Sequence, residues 1–262
     1  MKQTTEILIT LVRQLTRITE SSAPFLSNLV GIELLNEPQP GSNHAVLEQW
    51  YIETSRAIRQ VNPHIPIFIG DSWSTDHYAS FVERQSSHSA LPFLVLDHHL
   101  YRCFTDSDTN TTVQQHVSNL SDPNSNTVQM LARVSQKLSA PSVGGALVIG
   151  EWSGALNPGS LHGIENEIEH RRDFVKAQLA LYEAHCAGWF FWTYKKESTG
   201  DKGWSLLDAV SAGVFPLVVG LRCGSYVSNK DRERSLRKQS ASNQALGRIR
   251  IYLMMFKVMG SV

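Results

Sequence analysis

Two spacings of apolar residues alternate along the chain. Apolar residues that recur every three or four positions predict helices over residues 4–21, 44–61, 74–87, 112–139, 165–186 and 228–258. Short continuous apolar runs predict buried strands over residues 29–36, 65–70, 92–99, 146–151 and 188–193. Strands that alternate with helices are typical of a parallel sheet covered by helices. The pattern therefore predicts an α/β fold.

The character of the sequence changes near Pro216, and no linker divides the chain before that point. Residues 1–216 are predicted to form one domain, and residues 217–262 a basic helical tail. From residue 221 to 262 the chain has nine Lys and Arg against two Asp and Glu. Two interpretations of residues 247–262 stay open: a final helix that packs on the domain, or sequence that is not native coding sequence.

Composition narrows the function classes. The 262 residues are 42% hydrophobic and 18% charged, with 24 basic and 24 acidic side chains, which argues against a dedicated binder of nucleic acids or membrane surfaces. Three scattered cysteines are too few for a disulfide framework, and the lack of a Cys-x-x-Cys pair argues against a structural zinc site. No apolar run approaches the roughly 18 residues of a membrane helix, and the N-terminus lacks the shape of a signal peptide.

Two glutamates each follow a short apolar run. One lies in Asn36-Glu37-Pro38 and the other in Gly150-Glu151-Trp152. Parallel α/β folds place their chemistry at the carboxyl ends of strands, and a pair of carboxylates is what acid/base cleavage of a glycosidic bond requires. We therefore predict a sugar-cleaving enzyme. The alternatives are that each glutamate is a solvated loop carboxylate and that Asn-Glu-Pro is simply a turn.

The other candidate residues are polar aromatics and histidines on the later strands. His99 and Tyr101 lie two residues apart on one strand, so both are expected to face the site while His98 points to the opposite side. The strand Gly188-Trp-Phe-Phe-Trp-Thr-Tyr194 is rich in aromatic rings, and Trp204 follows it. Flat rings stack on the C–H faces of sugars, although such a cluster can equally be core.

Two other kinds of site are excluded by spacing. Because His98 and His99 are adjacent on a strand, their side chains diverge and cannot easily bind one metal ion. Ser153 is not the nucleophile of a Gly-x-Ser-x-Gly elbow, since Glu151 and Ala155 stand where the glycines are required.

Taken together, these segments resemble glycoside hydrolase family 5, and in particular its fungal exo-β-1,3-glucanase branch. The resemblance covers about residues 25 to 216. Its motifs are Gly31-Ile-Glu-Leu-Leu-Asn-Glu-Pro38, Leu96-Asp-His-His-Leu-Tyr-Arg-Cys-Phe104, Ile149-Gly-Glu-Trp-Ser-Gly-Ala-Leu156, Gly188-Trp-Phe-Phe-Trp-Thr-Tyr-Lys195, Gly203-Trp-Ser and Ala209-Val-Ser-Ala-Gly-Val-Phe-Pro216.

The resemblance implies a (β/α)8 barrel and a retaining mechanism. Five predicted strands are too few to close such a barrel, so the resemblance implies a partial barrel that holds strands four to eight with their helices. Glu37 matches the general acid/base of the family and Glu151 the nucleophile. Asn36 matches the asparagine that hydrogen-bonds the 2-hydroxyl group of the sugar.

The same resemblance implies the rest of the site. His99 and Tyr101 match the polar pair beside the nucleophile, Trp192 the aromatic floor of the first sugar subsite, and Phe104 an aromatic clamp at the entrance. The implied partner is a β-glucan polysaccharide or oligosaccharide, with no metal or organic cofactor. The family is largely extracellular or associated with the cell wall.

Three expectations about the whole protein follow. A complete family member would have three more strands before Met1, so we expect this chain to be a truncated product. Its activity as an exo-β-1,3-glucosidase then competes with an inactive fragment that still binds carbohydrate. A third alternative is an enzyme for another β-glucoside linkage.

Overall fold

Five parallel strands form one sheet in the order β1-β2-β3-β4-β5. The computed structural model describes residues 1–21, 29–39, 41, 43–87 and 93–216. Strand order therefore follows chain order, as it does when every crossover turns in the same direction. The strands are β1 (Ile32–Glu33), β2 (Ile67–Gly70), β3 (Leu94–His99), β4 (Ala146–Trp152) and β5 (Gly188–Phe191).

Helices precede the first strand and fill the crossovers. Parallel neighbours cannot be joined by a tight hairpin, so each connection must travel back along the sheet, and a helix does this while burying one of its faces. The helices are α1 (Lys2–Ser21), α2 (His44–Arg59), α3 (Thr75–Ser87), α4 (Asp106–Thr109), α5 (Val113–Ser121), α6 (Asn126–Leu138), α7 (Glu167–His185) and α8 (Leu206–Ser211), with a 3₁₀ turn at Pro158–Leu161.

The two faces of the sheet bury different side chains. Ile69, Leu96 and Ile149 lie on the face that packs against the helices in the main core. Their sequence neighbours on the other face form a smaller apolar cluster made of Phe68, Val95 and Val148. This alternation is what the two-residue period of a strand dictates. Five parallel strands with helices on one face are a partial (β/α)8 barrel, which confirms the predicted fold class.

The predicted helix over 112–139 is wrong, because the structure has two helices there. Asp122 caps the C-terminus of α5 and Ser125 caps the N-terminus of α6, where the Ser125 hydroxyl accepts a hydrogen bond from the Val128 amide at 3.3 Å. Pro123 lies between these caps, and a proline has no N–H to continue the helix. The apolar period resumes after the break, so periodicity alone does not reveal it.

The remaining predicted elements are found at the predicted places. All five strands are confirmed, although β1 is only two residues long where eight were predicted. The short helices α4 and α8 were not predicted, since four or six residues are too few to show a helical period. The predicted helix 228–258 and the tail 217–262 lie outside the described residues. Within the part of the chain that is described, no helix has the length and apolar character needed to cross a membrane.

Candidate functional site

Four of the predicted site residues meet at the carboxyl ends of the strands. Glu37 follows β1, His99 ends β3, Tyr101 comes two residues later, and Glu151 lies near the end of β4. One carboxylate oxygen of Glu37, one of Glu151 and a ring nitrogen of His99 all lie within 4.8 Å of one another. The carboxyl ends of parallel strands share one edge of the sheet, which explains how residues 114 positions apart in sequence become neighbours.

The hydrogen bonds within this group are short. Nδ1 of His99 lies 2.8 Å from Oε1 of Glu37 and 3.6 Å from Oε2 of Glu151. The Tyr101 hydroxyl donates to Oε2 of Glu151 at 2.7 Å. His99 at the end of β3 and Tyr101 two residues beyond it therefore both contact the glutamates, as their spacing predicts.

A β-bulge turns Glu151 into the site. His98 pairs with Ile149 and His99 pairs with Glu151, so β4 has one extra residue, Gly150, opposite this step of β3. Strict alternation from the inward-facing Val148 would point residue 151 at the helices. The extra residue restores an inward direction for Glu151, which is a known effect of bulges beside functional sites.

The bulge also needs a residue without a side chain. A Cβ atom at position 150 would lie 1.8 Å from Oδ1 and 2.2 Å from Oδ2 of Asp97. Asp97 is 1% exposed and faces the same side of the sheet as His99. Gly150 is thus required by the carboxylate that occupies the neighbouring space.

Glu37 is held in an unusual backbone conformation. Its φ is +45°, in the left-handed region that residues other than glycine rarely adopt. Its side chain is 38% exposed, whereas that of Glu151 is 8% exposed. One carboxylate therefore reaches towards solvent while the other stays buried. Such strained residues are concentrated at functional sites.

Tyr101 remains a hydrogen-bond donor throughout the ordinary pH range. Burial raises the pKa of its hydroxyl above the usual value, and the hydrogen bond to Glu151 together with the negative charge of that carboxylate raises it further. A neutral tyrosine hydroxyl donates its single proton to one acceptor. That acceptor is Glu151, so Tyr101 stabilises the ionised form of this carboxylate.

His98 belongs to a separate network on the opposite face. Its Nδ1 lies 2.7 Å from Oδ2 of Asp71, and the same oxygen accepts the Thr75 hydroxyl at 2.6 Å. Burial by itself would raise the pKa of Asp71, but these bonds and one from the Trp73 amide lower it below 3.8. His98 and His99 therefore diverge, as predicted.

Aromatic rings flank the glutamates on the side of β4 and β5. Tyr101, Phe104 and Trp204 form what we call the aromatic shelf, with ring centroids 5.3 to 5.7 Å apart. Phe104 is 70% exposed, and Trp192, which follows β5, is 39% exposed. Apolar rings that are this open to solvent are available to a ligand.

The structure gives little detail for one predicted site residue, Asn36, and places two further side chains at the site. Asn36 is half-buried next to Glu37 in the loop after β1. Asp97 had no predicted role, and Trp204 was predicted only as one of the aromatic rings that either stack on a sugar or belong to the core. Trp204 reaches the shelf from the loop after β5, which no spacing rule predicts. Asp97 could have been found, because it precedes His99 by two residues and must share its face.

Some of these side chains are close enough to surround a cation. In the described ranges there are two such groups of three, Glu37 with His99 and Glu151, and Glu33 with Asp97 and His99. The first group is held by the direct imidazole–carboxylate contact and by the hydroxyl of Tyr101. We therefore interpret Glu37, His99 and Glu151 as hydrogen-bonding and ionic partners of one another.

Comparison with known proteins gives a consistent result. The family model described as "Cellulase (glycosyl hydrolase family 5)" matches residues 25–198. The chain is 34% identical over 168 residues to "Glucan 1,3-beta-glucosidase 3" of Schizosaccharomyces pombe, which is 64% of this chain and 32% of that relative. It is 27% identical over 220 residues to "Glucan 1,3-beta-glucosidase" of Yarrowia lipolytica, which is 72% of this chain and 48% of the relative.

A third relative, "Probable glucan 1,3-beta-glucosidase A" of Neosartorya fischeri, is 28% identical over 235 residues, which is 76% of this chain and 51% of the relative. The chain thus spans about a third to about half of the length of these curated relatives. The family match extends over about two thirds of the chain and includes Glu37, His99, Tyr101, Glu151 and Trp192. The resemblance to the fungal branch of the family is therefore confirmed, and this chain belongs to glycosyl hydrolase family 5.

Proposed function

We propose that the chain carries the active site of a retaining β-glycoside hydrolase that removes glucose from the ends of β-1,3-glucan. The observation that supports it most directly is the approach of a Glu37 oxygen to within 4.8 Å of a Glu151 oxygen. Retaining enzymes hold their two carboxyl groups about 5–5.5 Å apart, whereas inverting enzymes leave about 6.5–9.5 Å for a water molecule. The short separation favours direct attack by a carboxylate.

The environments of the two glutamates suggest their roles. Glu151 accepts the Tyr101 hydroxyl and is nearly buried, which suits an ionised nucleophile beside the anomeric carbon. Glu37 is more exposed and shares a 2.8 Å contact with His99, which suits a group that passes a proton to and from the substrate. This assignment agrees with the roles that the family resemblance implies.

The reaction then proceeds in two displacements. Glu37 gives its proton to the glycosidic oxygen while an oxygen of Glu151 attacks the anomeric carbon, and the shortened glucan leaves as an alcohol. The product of this step is a glucosyl ester on Glu151. Glu37, now a carboxylate, removes a proton from water, which attacks the same carbon. Glucose leaves with its original β configuration, and Glu151 is again ionised.

The names of the relatives and the exposed aromatic rings support the proposed substrate class. All three relatives described above are named glucan 1,3-β-glucosidases. In the proposed complex Trp192 forms the floor under the terminal glucose, Phe104 contacts the sugar at the entrance, and Asn36 bonds the 2-hydroxyl group. We further propose an extracellular or wall-associated site of action, because β-1,3-glucan is a wall polysaccharide.

The test is release of glucose from a β-1,3-linked glucose oligosaccharide by the purified 262-residue chain. The Glu151→Gln variant removes the nucleophile at nearly constant size, and Glu167→Gln removes a half-exposed glutamate paired with Arg171 as a matched control. The parent and the control variant should release glucose, and Glu151→Gln should not. Proton NMR of the first product should show the β anomer.

Two outcomes would contradict parts of the proposal. Equal release by Glu151→Gln would refute the nucleophile, and initial release of α-glucose would refute retention. Binding of the oligosaccharide without hydrolysis would favour the alternative of a carbohydrate-binding fragment. Parallel assays on β-1,6-glucan, β-mannan and a glucosylated sterol separate the proposed linkage from other β-linkages.

A further inference from the structure

His99 has carboxylates at both of its ring nitrogens. Nδ1 faces Glu37 at 2.8 Å and Glu151 at 3.6 Å, while Nε2 lies 3.7 Å from Oδ2 of Asp97. An oxygen of Glu33, on β1, lies within 4.8 Å of the facing atoms of Asp97 and His99. The titratable groups around the ring therefore come from four places: β1, the loop after β1, β3 with the Tyr101 that follows it, and β4.

The short contact with Glu37 requires one proton between the two atoms. At 2.8 Å a nitrogen lone pair and a carboxylate oxygen would repel each other, so either the carboxyl group or the imidazole must supply a hydrogen. Protonated Glu37 with neutral His99, and ionised Glu37 with charged His99, contain the same number of protons. The two residues thus share the proton that the proposed reaction delivers to the glycosidic oxygen.

That sharing works only if the second proton of the ring stays on Nε2. If Nε2 were bare, its lone pair would face the carboxylate of Asp97 across 3.7 Å. A negative charge at this distance favours a proton on the nitrogen that it faces, and the partner of one ring nitrogen decides what the other can do. Asp97 is thus placed to keep a proton on Nε2 of His99.

The position of Asp97 is built into the sheet. It lies on β3 two residues before His99, its side chain is fully buried, and the missing side chain of Gly150 leaves the space that its carboxylate fills. No substrate could touch a group with no exposed surface, so any influence of Asp97 on the reaction must act through His99.

We propose that Asp97 is a positioning residue that keeps His99 protonated on Nε2, so that Nδ1 of His99 and Glu37 share a single transferable proton. This rests on the proposed function for the use of that proton, but the protonation of His99 can be measured without any turnover. A chain that fails to hydrolyse glucan would count against the proposed function alone.

The experiment uses the full chain labelled with ¹⁵N and long-range ¹H–¹⁵N correlation spectra of the histidine rings across a pH series. These spectra distinguish a ring nitrogen that carries a proton from one that does not. Spectra of His99→Gln and His98→Gln variants assign the two signals. Asp97→Asn removes the charge at constant size, and Asp71→Asn makes the same change next to His98, which it contacts at 2.7 Å on the opposite face.

We expect Nε2 of His99 to carry a proton at neutral pH in the parent chain. Asp97→Asn should lower the pH at which His99 loses its charge by about 1–3 units, the effect of an opposite charge at this range. Asp97→Asn should leave the His98 signals in place. Asp71→Asn should shift the His98 signals and leave the His99 signals in place. Because His98 reports on the same strand, an unchanged His98 signal shows that the variant is folded.

Two results would overturn the proposal. One is a bare Nε2 on His99 in the parent chain at neutral pH, which decides the matter even if Asp97→Asn does not fold. The other is an unchanged His99 titration in a folded Asp97→Asn variant, which would show that Asp97 does not control the charge of the ring.

Discussion

Replacement of Gly150 by alanine should disrupt the sheet where the two central strands meet. The added Cβ would lie 1.8 Å from Oδ1, 2.2 Å from Oδ2 and 2.3 Å from Cγ of Asp97. Carbon and oxygen atoms that are not bonded do not approach closer than roughly 3 Å, so the carboxylate or the backbone must shift by about 1 Å. The side chain of Asp97 is fully buried.

The magnitude follows from two costs. Overpacking of a well-packed interior costs about 1–3 kcal/mol, and displacing a buried polar group from its partners costs about 1–3 kcal/mol more. We therefore expect Gly150→Ala to lower the free energy of unfolding by roughly 2–6 kcal/mol. Gly188→Ala in β5 is the matched control, because a Cβ there meets no atom within 4 Å. Its effect should stay within about 1 kcal/mol.

Urea denaturation followed by tryptophan fluorescence measures both changes. A double-mutant cycle then separates a steric cause from an electrostatic one. Asp97→Ala makes room for the new methyl group, so Gly150→Ala should cost less by about 1–3 kcal/mol in that background. Asp97→Asn keeps the size of the side chain and should give no such relief. Equal costs for Gly150→Ala and Gly188→Ala would refute the reasoning, as would relief by Asp97→Asn.

Three further predictions concern single side chains. Tyr101→Phe removes the hydroxyl that donates to Glu151 at 2.7 Å. Because a hydrogen bond to a charged group is worth about 1.5–3 kcal/mol, kcat/KM on a β-1,3-glucan oligosaccharide should fall about 10- to 150-fold. The control variant Tyr78→Phe should not lower kcat/KM. Asp71→Asn should reduce the free energy of unfolding most above pH 4, because the pKa of Asp71 is lowered on folding. The difference in this free energy between variant and parent should shrink as the pH falls through the lowered pKa. A difference that stays constant in urea titrations at several pH values would contradict this. Burial lowers the pKa of His116 below 6.5, so the free energy of unfolding of the parent should decrease as the pH falls below 6.5. In urea titrations of His116→Gln, the part of this decrease that is due to His116 should be absent.

The sequence was sufficient for the parts of the fold that depend on local pattern. The five strands are short apolar runs that end in polar residues, and this pattern survives because each strand is buried on both faces. The two-residue period also predicted correctly that His99 and Tyr101 share a face which His98 does not. These are properties of neighbouring residues, and they need no knowledge of the rest of the molecule.

Other features depend on contacts between distant segments, and periodicity does not predict them. Trp204 joins Tyr101 and Phe104 only because the loop after β5 folds back across the end of β4, where the Gly154 amide donates to the Gly203 carbonyl at 2.9 Å. The break at Pro123 was obscured by apolar residues that resume the helical period after it. In both cases the deciding interaction is formed by residues outside the pattern from which the prediction was made.

The bulge at Gly150 is a part of the site geometry that the sequence pattern did not predict. Sequence reasoning placed Glu151 at the tip of a strand, but alternation from Val148 would have aimed it at the helices, away from Glu37. The pairing of His99 with Glu151 requires one extra residue in β4, and Asp97 leaves space only for glycine at that position. The buried Asp97 is therefore connected to both glutamates: through Gly150 it permits the direction of Glu151, and through His99 it faces Glu37. A substitution at a residue that no substrate can reach should consequently affect both carboxylates of the site at once.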